Sequence, residues 1–289
     1  MHALIKAIRT KAGLSQQEIS DKLDVSFATI NRWENNKAIP NKLAQSKIYE
    51  FCKQANIPVY DMVCKKIQTE IEQIDVPKNR IILFHGSKSG LEGKIEPKSR
   101  ARCDFGAGFY MGTEPMQPLT LICDYEDSKF YVVSIALENL NTLDIPANLE
   151  WAMLVAFNRG RMEGVKGTKF YEKYRQMCCG KDILIGSIVK DRMFYVLDNF
   201  FQGNITDLAL VNSLSALELG RQYVAVSQKG CDAVRIEKEI PISYLEKCVL
   251  QDVSEKNRVK GISVANEICK NYRREGQFFD ELLDQIKEG

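Results

Sequence analysis

The chain has 289 residues, long enough for two domains, of which 45% are hydrophobic and 27% charged. That balance excludes disordered and fibrous material and matches ordinary globular chains. The net charge of +2 is too small to argue for nucleic acid, but residues 1–66 carry eleven Lys/Arg against six Asp/Glu, as in a small basic module on a larger body. From the N-terminus, residues 3–13 read as an amphipathic helix with Leu4, Ile5 and Ile8 on one face, ended by Gly13. Ser15-Gln16-Gln17-Glu18 is a capping box that opens a second helix through Leu23. Ser26 caps a third helix, FATINRWENN, stopped by Pro40. Ile19, Leu23, Val25, Ile30 and Trp33 are the expected core between these helices. Residues 42–55 and 58–67 supply two more, completing an all-α domain over residues 1–67.

The stretch GLSQQEISDKLDVSFATINRWENNKAIP resembles the phage-repressor-like (Xre-type) helix-turn-helix family, and the match covers residues 3–67. The resemblance implies DNA binding, with the third helix in the major groove, and a two-fold homodimer. Carried over by position, Gln16, Phe27, Ala28 and Arg32 face the bases, while Ser26, Thr29, Asn35 and Lys37 hold phosphates. Phe27 and Ala28 are apolar where polar base-readers often stand, which suits contact with thymine methyl groups. The competing reading is a small helical bundle used for protein contacts or dimerisation; a third makes the module a docking site for a partner antitoxin rather than for DNA.

The segment 68–79 turns acidic and breaks at Pro77, as a linker does. Beyond it come short β-rich runs: RIILFHG (80–86), KFYVVSIAL (129–137), DILIGSI (182–188), QYVAVS (222–227) and AVRIE (233–237). Helical stretches over 148–158, 191–201, 206–219, 241–252 and 256–286 lie between and after them. The irregular alternation predicts an α+β domain over 80–289, and the tail YRREGQFFDELLDQI reads as an amphipathic helix covering the sheet.

The inventory of reactive side chains narrows the chemistry. There are two histidines, His2 and His85, so a multi-histidine metal site or a Ser-His-Asp triad would have to pass through His85, and no metal is expected. The nine cysteines have no C-x-x-C spacing and include the adjacent Cys178 and Cys179; they read as reduced thiols in a cytoplasmic protein. The opening residues lack the apolar stretch of a signal peptide. No apolar run approaches the ~18–20 residues that span a bilayer, so no membrane partner is expected.

Three motifs remain. An apolar strand ends in Phe84-His85-Gly86-Ser87; a loop with Lys98, Ser99, Arg100 and Arg102 leads into Asp104-Phe105-Gly106-Ala107-Gly108-Phe109-Tyr110; and Arg221-Gln222-Tyr223-Val224 starts a late strand. In this order they resemble the His-Tyr-Glu class of ADP-ribosyltransferases, which includes diphtheria toxin and the poly(ADP-ribose) polymerases. They are closer still to an uncharacterised bacterial family with the same series, the resemblance running over residues 80–237. It implies an ADP-ribosyltransferase-like fold, a split and mostly antiparallel β-sheet with surrounding helices, and NAD as substrate. His85 would then bond the adenosine-ribose hydroxyls, the Gly86 backbone the nicotinamide carboxamide, and Tyr110 would stack on the nicotinamide ring. Gly106 and Gly108 would shape the chain path, with Ser87 beside the site and Arg100 on a phosphate.

Cleavage of the glycosidic bond passes through a ribose cation that the site must stabilise. Here the sequence departs from the class: the third position is Gln222, whose amide can orient a ribose hydroxyl but cannot act as a base. The second aromatic that sandwiches nicotinamide is also missing, since Pro118 and Leu121 stand there. The expected function is a mono-ADP-ribosyltransferase acting on a macromolecular acceptor, with His85, Tyr110 and Gln222 catalytic, and toxin-antitoxin or phage-defence roles by family analogy. The alternative is a transcriptional regulator whose degenerate transferase domain senses NAD or ADP-ribose.

Overall fold

The computed structural model describes residues 1–99, 102–188, 191–215, 220–272 and 275–288. Five helices open the chain: α1 (His2–Lys11), α2 (Gln16–Leu23), α3 (Phe27–Glu34), α4 (Lys42–Gln54) and α5 (Val59–Glu72). Local chemistry sets their starts. The Ser15 hydroxyl accepts from the Glu18 amide and the Glu18 carboxylate accepts from the Ser15 amide at 2.7 Å, so the capping box forms in full. Ser26 caps α3 through the Thr29 amide, and Asn41 caps α4 through the Ala44 amide. The turn between α2 and α3 pivots on Asp24 at φ 56°, a left-handed conformation that a short polar side chain tolerates. Leu4, Ile5, Ile8, Ile19, Leu23, Ile30 and Trp33 are buried, with Val25 packed partly against them. Helix α5 runs on to Glu72, into the segment expected as linker, because Ile67 and Ile71 extend its apolar stripe and no breaker precedes Pro77.

The second unit is built on a seven-stranded sheet, β1 (Ile81–Ser87), β2 (Phe109–Gly112), β3 (Lys129–Ile135), β4 (Thr142–Asp144), β5 (Ile183–Ser187), β6 (Arg221–Ala225) and β7 (Val234–Ile240). Their spatial order is β4-β5-β6-β2-β1-β3-β7, antiparallel except for the parallel pair β4–β5. Helix α6 (Met116–Ile122) lies between β2 and β3; α7 (Leu149–Asn158) and α8 (Lys169–Met177) lie between β4 and β5. Helices α9 (Asp191–Phe201) and α10 (Asp207–Ser215) precede β6, α11 (Gln228–Asp232) precedes β7, and α12 (Tyr244–Asn271) and α13 (Phe279–Glu288) follow it.

The C-terminal helices differ from the sequence expectation. The break expected after residue 252 does not occur, since no Gly or Pro stands there, and α12 continues to Asn271. The chain turns instead near Gly276, at φ +88°. Helix α13 packs Phe279 and Leu283 against Phe200 and Phe201 of α9 rather than lying on the sheet.

Two features of the sheet position the candidate site. Strand β1 pairs with β3 along its whole length, from Ile81↔Ile135 to Ser87↔Lys129, but registers with β2 only at Phe84↔Gly112. The sheet therefore opens between β1 and β2 beyond that point. Alternation also assigns faces. Leu83, Phe109, Met111, Tyr131, Val133 and Ile185 share one face, and Tyr110, Leu184 and Val224 pack on the other, against Trp151 and the α7 core.

The two units share one continuous core. Ile48, Cys52, Val63 and Ile67 cluster with Phe84, Leu119, Ile122, Leu245 and Val249. Polar contacts border it. Lys66 meets the buried Glu246 at 2.8 Å, Lys238 meets Glu70 at 2.6 Å, Tyr49 bonds Asp252, and the Leu245 amide donates to Gln45 at 2.9 Å. Among the described residues, no helix is long and apolar enough to cross a membrane.

Candidate functional site

On the helix-turn-helix unit, α3 presents Ser26, Phe27, Ala28, Arg32, Asn35 and Lys37 exposed, with Thr29 partly so. Phe27 is 47% exposed at the start of α3. Ser26 and Thr29 face each other at 2.9 Å at the start of α3, beside its free amides. Asn35 caps back onto the Asn31 carbonyl at 2.8 Å. Gln16 is drawn inward: its amide donates to Glu34 at 2.7 Å, and Asn31 donates to its oxygen at 3.3 Å.

Glu34 is also gripped by Arg9 through two bonds of 2.6 and 3.0 Å. Burial pushes the Glu34 carboxyl up, but the bonds from Arg9 and Gln16 outweigh it and hold it below the usual carboxylate range. Sequence reading missed this network because its members are 15 to 25 positions apart.

In the second unit the three motifs fall on β1, β2 and β6, which stand side by side in the sheet. Gln222 registers with Gly112 of β2, and Gly112 with Phe84 of β1. His85 is one position from that row and Tyr110 two.

Their side chains do not all converge. Tyr110, Gly112 and Gln222 share the face that packs toward Trp151, whereas His85 stands on the opposite face, stacked on Phe109 with ring centroids 4.2 Å apart. The His85 ring reaches β2 at the opening in the sheet, where Nδ1 bonds the Tyr110 carbonyl oxygen at 2.7 Å. Burial pushes the His85 pKa down, the carbonyl bond opposing it, so the ring is neutral; Nδ1 then carries the proton, and Nε2 is an acceptor with no partner among the described residues.

Tyr110 anchors the glycine-bearing loop. Its hydroxyl donates to the Gly106 carbonyl at 2.8 Å and accepts from the Phe105 amide at 3.1 Å. Burial pushes that phenol far above its ordinary range, so it stays protonated. Asp104 is clamped by Arg159 at 2.6 Å, and Asn158 holds the Asp104 carbonyl at 3.0 Å. Gly106 adopts φ +76°, where a side chain would be strained. Gly108 lies against β6, since a Cβ there would stand 2.5 Å from the Val224 side chain.

The Gly86 backbone is approached by protein as well. A Cβ there would meet Ile122 at 2.8 Å and the Pro118 carbonyl oxygen at 2.9 Å, so α6 lies directly on this strand. Pro118, which stands where the resemblance led one to expect a second aromatic, is packed against the Gly86 main chain. Ser87 donates to the Gly90 carbonyl at 2.7 Å, and Arg100 lies outside the described residues. Gln222 is buried, 8% exposed, and its amide nitrogen donates to the Ser187 carbonyl at 2.9 Å.

The chain thus combines a helix-turn-helix module with an α+β domain whose central strands carry the His, Tyr and Gln motifs. A family model described as "Protein of unknown function (DUF3990)" matches residues 81–236, more than half of the chain. The chain belongs to that family. A helix-turn-helix model matches residues 5–44, from within α1 through α2 and α3 to the start of α4. No curated protein and no solved structure matches the chain.

Proposed function

We propose that this chain is an NAD-dependent mono-ADP-ribosyltransferase localised by a DNA-binding helix-turn-helix. One observation carries the reading: His85, Tyr110 and Gln222, far apart in sequence, come from three adjacent central strands, with His85 and Tyr110 bordering the opening between β1 and β2 and Gln222 on the next strand, β6. NAD enters that opening. The neutral His85 offers Nε2 to a ribose hydroxyl, and the Gly86 main chain takes the carboxamide. The half-buried Tyr110 gives its ring face to the nicotinamide, its hydroxyl being already bonded to Phe105 and Gly106. Exposed Arg32, Asn35 and Lys37, with the Ser26-capped start of α3, support DNA contact.

Calorimetry of the full chain with NAD, coupled to chromatographic assay of free nicotinamide, tests the proposal. Binding with turnover supports it, and no binding at millimolar NAD removes it. The neutral Gln222, its amide tied to the Ser187 carbonyl, favours a second reading, a DNA-binding regulator that senses NAD without cleaving it. Binding without nicotinamide release selects that reading.

A further inference from the structure

Cleavage of NAD develops positive charge on the nicotinamide ribose, and Gln222 brings no negative charge to it. The same sheet face holds a carboxylate a short step away. Glu114 follows β2 directly and continues its alternation: Tyr110, Gly112 and Glu114 fall on the face of Gln222. The strand ends are held there by reciprocal bonds, Thr113 amide to Arg221 carbonyl and Arg221 amide to Thr113 hydroxyl, both 2.9 Å. This register sets Glu114 opposite Gly220, diagonal to Gln222.

Gly220 makes room for it. A Cβ at Gly220 would lie 2.5 Å from Cγ of Glu114 and 3.0 Å from the Ile188 methyl. The same methyl stands 3.2 Å from the place of a Cβ at Gly112, with the Gln117 side-chain oxygen at 3.4 Å. Glu114, Ile188 and Gln117 therefore gather on one side, around the glycine that registers with Gln222. Among the described residues, the Glu114 carboxylate has no hydrogen bond or ion pair. Among the described residues, the nearby Arg221 is paired with Asp144 instead.

We propose that Glu114 is the catalytic carboxylate of this site, doing from the end of β2 what Gln222 cannot do from β6; the inference rests on the NAD reading above. The bond between C1′ of the nicotinamide ribose and the ring nitrogen breaks, and its electron pair leaves with neutral nicotinamide. The oxygen of water, or of an acceptor hydroxyl, bonds C1′ and its proton passes to Glu114. The carboxylate stabilises the ribose cation before that transfer, while the Gln222 amide orients a ribose hydroxyl.

The test measures NAD affinity by calorimetry and nicotinamide release under saturating NAD, for the full-length wild type, Glu114→Gln and Glu114→Asp. The expected result is release at least tenfold slower for Glu114→Gln, NAD affinity within twofold of wild type, and partial recovery in Glu114→Asp. Thermal melting of each variant at the wild-type temperature assigns the loss to chemistry, as the exposed position of Glu114 leads one to expect. Equal release by wild type and Glu114→Gln overturns this assignment and leaves the NAD reading standing. A wild type that binds NAD without releasing nicotinamide overturns it as well, and a wild type that binds no NAD removes both proposals.

Discussion

His85 and Tyr110 are bonded across adjacent strands, Nδ1 to main-chain carbonyl at 2.7 Å, yet their side chains lie on opposite faces of the sheet. The bond fills part of the opening between β1 and β2 with an imidazole. It also fixes the tautomer, so that any ligand in the opening meets an acceptor at Nε2.

This buried imidazole makes stability depend on pH. Its native pKa lies below the ordinary 6.5, so under acid conditions the unfolded chain takes up a proton that the native state resists. The melting temperature is expected to be level above about pH 7 and to fall as the pH drops toward about 5. His85→Asn, whose amide can still donate to the Tyr110 carbonyl, should lessen that slope. Calorimetric scans of both proteins from neutral to acid pH decide the matter, and parallel slopes would show that another group is responsible.

The Arg159–Asp104 pair holds the loop that precedes Tyr110, with the Arg159 side chain 8% exposed. Arg159→Met strands the Asp104 carboxylate and should lower stability by about 3 kcal/mol, in the range for breaking a buried pair. Denaturant titration of the single variants and of the double variant Arg159→Met/Asp104→Leu measures it. The double variant should recover part of the loss, because it removes both charges.

Gly86 meets α6 closely enough that an added methyl must displace a main-chain oxygen, that of Pro118. Gly86→Ala should therefore destabilise the chain by about 1–3 kcal/mol, as overpacking does, apart from any effect on NAD. A stability equal to wild type would mean that α6 yields freely.

On the DNA side, Arg32 and Gln16 should separate. Arg32 is exposed, and Arg32→Ala is expected to weaken duplex binding by about 1–3 kcal/mol without changing the melting temperature. Gln16 donates to Glu34, so Gln16→Ala should cost about 1 kcal/mol of stability. Anisotropy titrations at several salt concentrations, beside melting curves, check both. An unaltered melting temperature for Gln16→Ala would return that side chain to the DNA surface.

The two units should melt together, since Ile48, Val63 and Ile67 bury themselves against Leu119, Ile122 and Leu245. A single calorimetric transition is expected. Lys66→Met, which leaves Glu246 buried without its cation, should shift that transition as a whole, and two resolved transitions would contradict the shared core.

What the sequence determined by itself is local. The capping box at Ser15 and Glu18, the Ser26 cap and the spacing of Leu4, Ile5 and Ile8 depend on residues three or four apart, so the helix-turn-helix was legible before any fold was known. The five apolar runs became strands for the same reason. Strand β2 was harder to see, because four residues following a glycine loop carry too short an alternation. Helix α5 runs on to Glu72, into the expected linker, because an acidic stretch can still be helical.

Only the tertiary structure decided the rest. Which face a strand residue occupies depends on register, and register depends on partners distant in the chain; this separates His85 from Tyr110 and sets Glu114 diagonal to Gln222. Gly86 looked like a place for a ligand but also faces α6. Arg159 reaches back 55 positions to Asp104, and Tyr49 forward 203 to Asp252. Such pairs leave no periodic trace, because the geometry that joins them exists only once the sheet and the helices have packed.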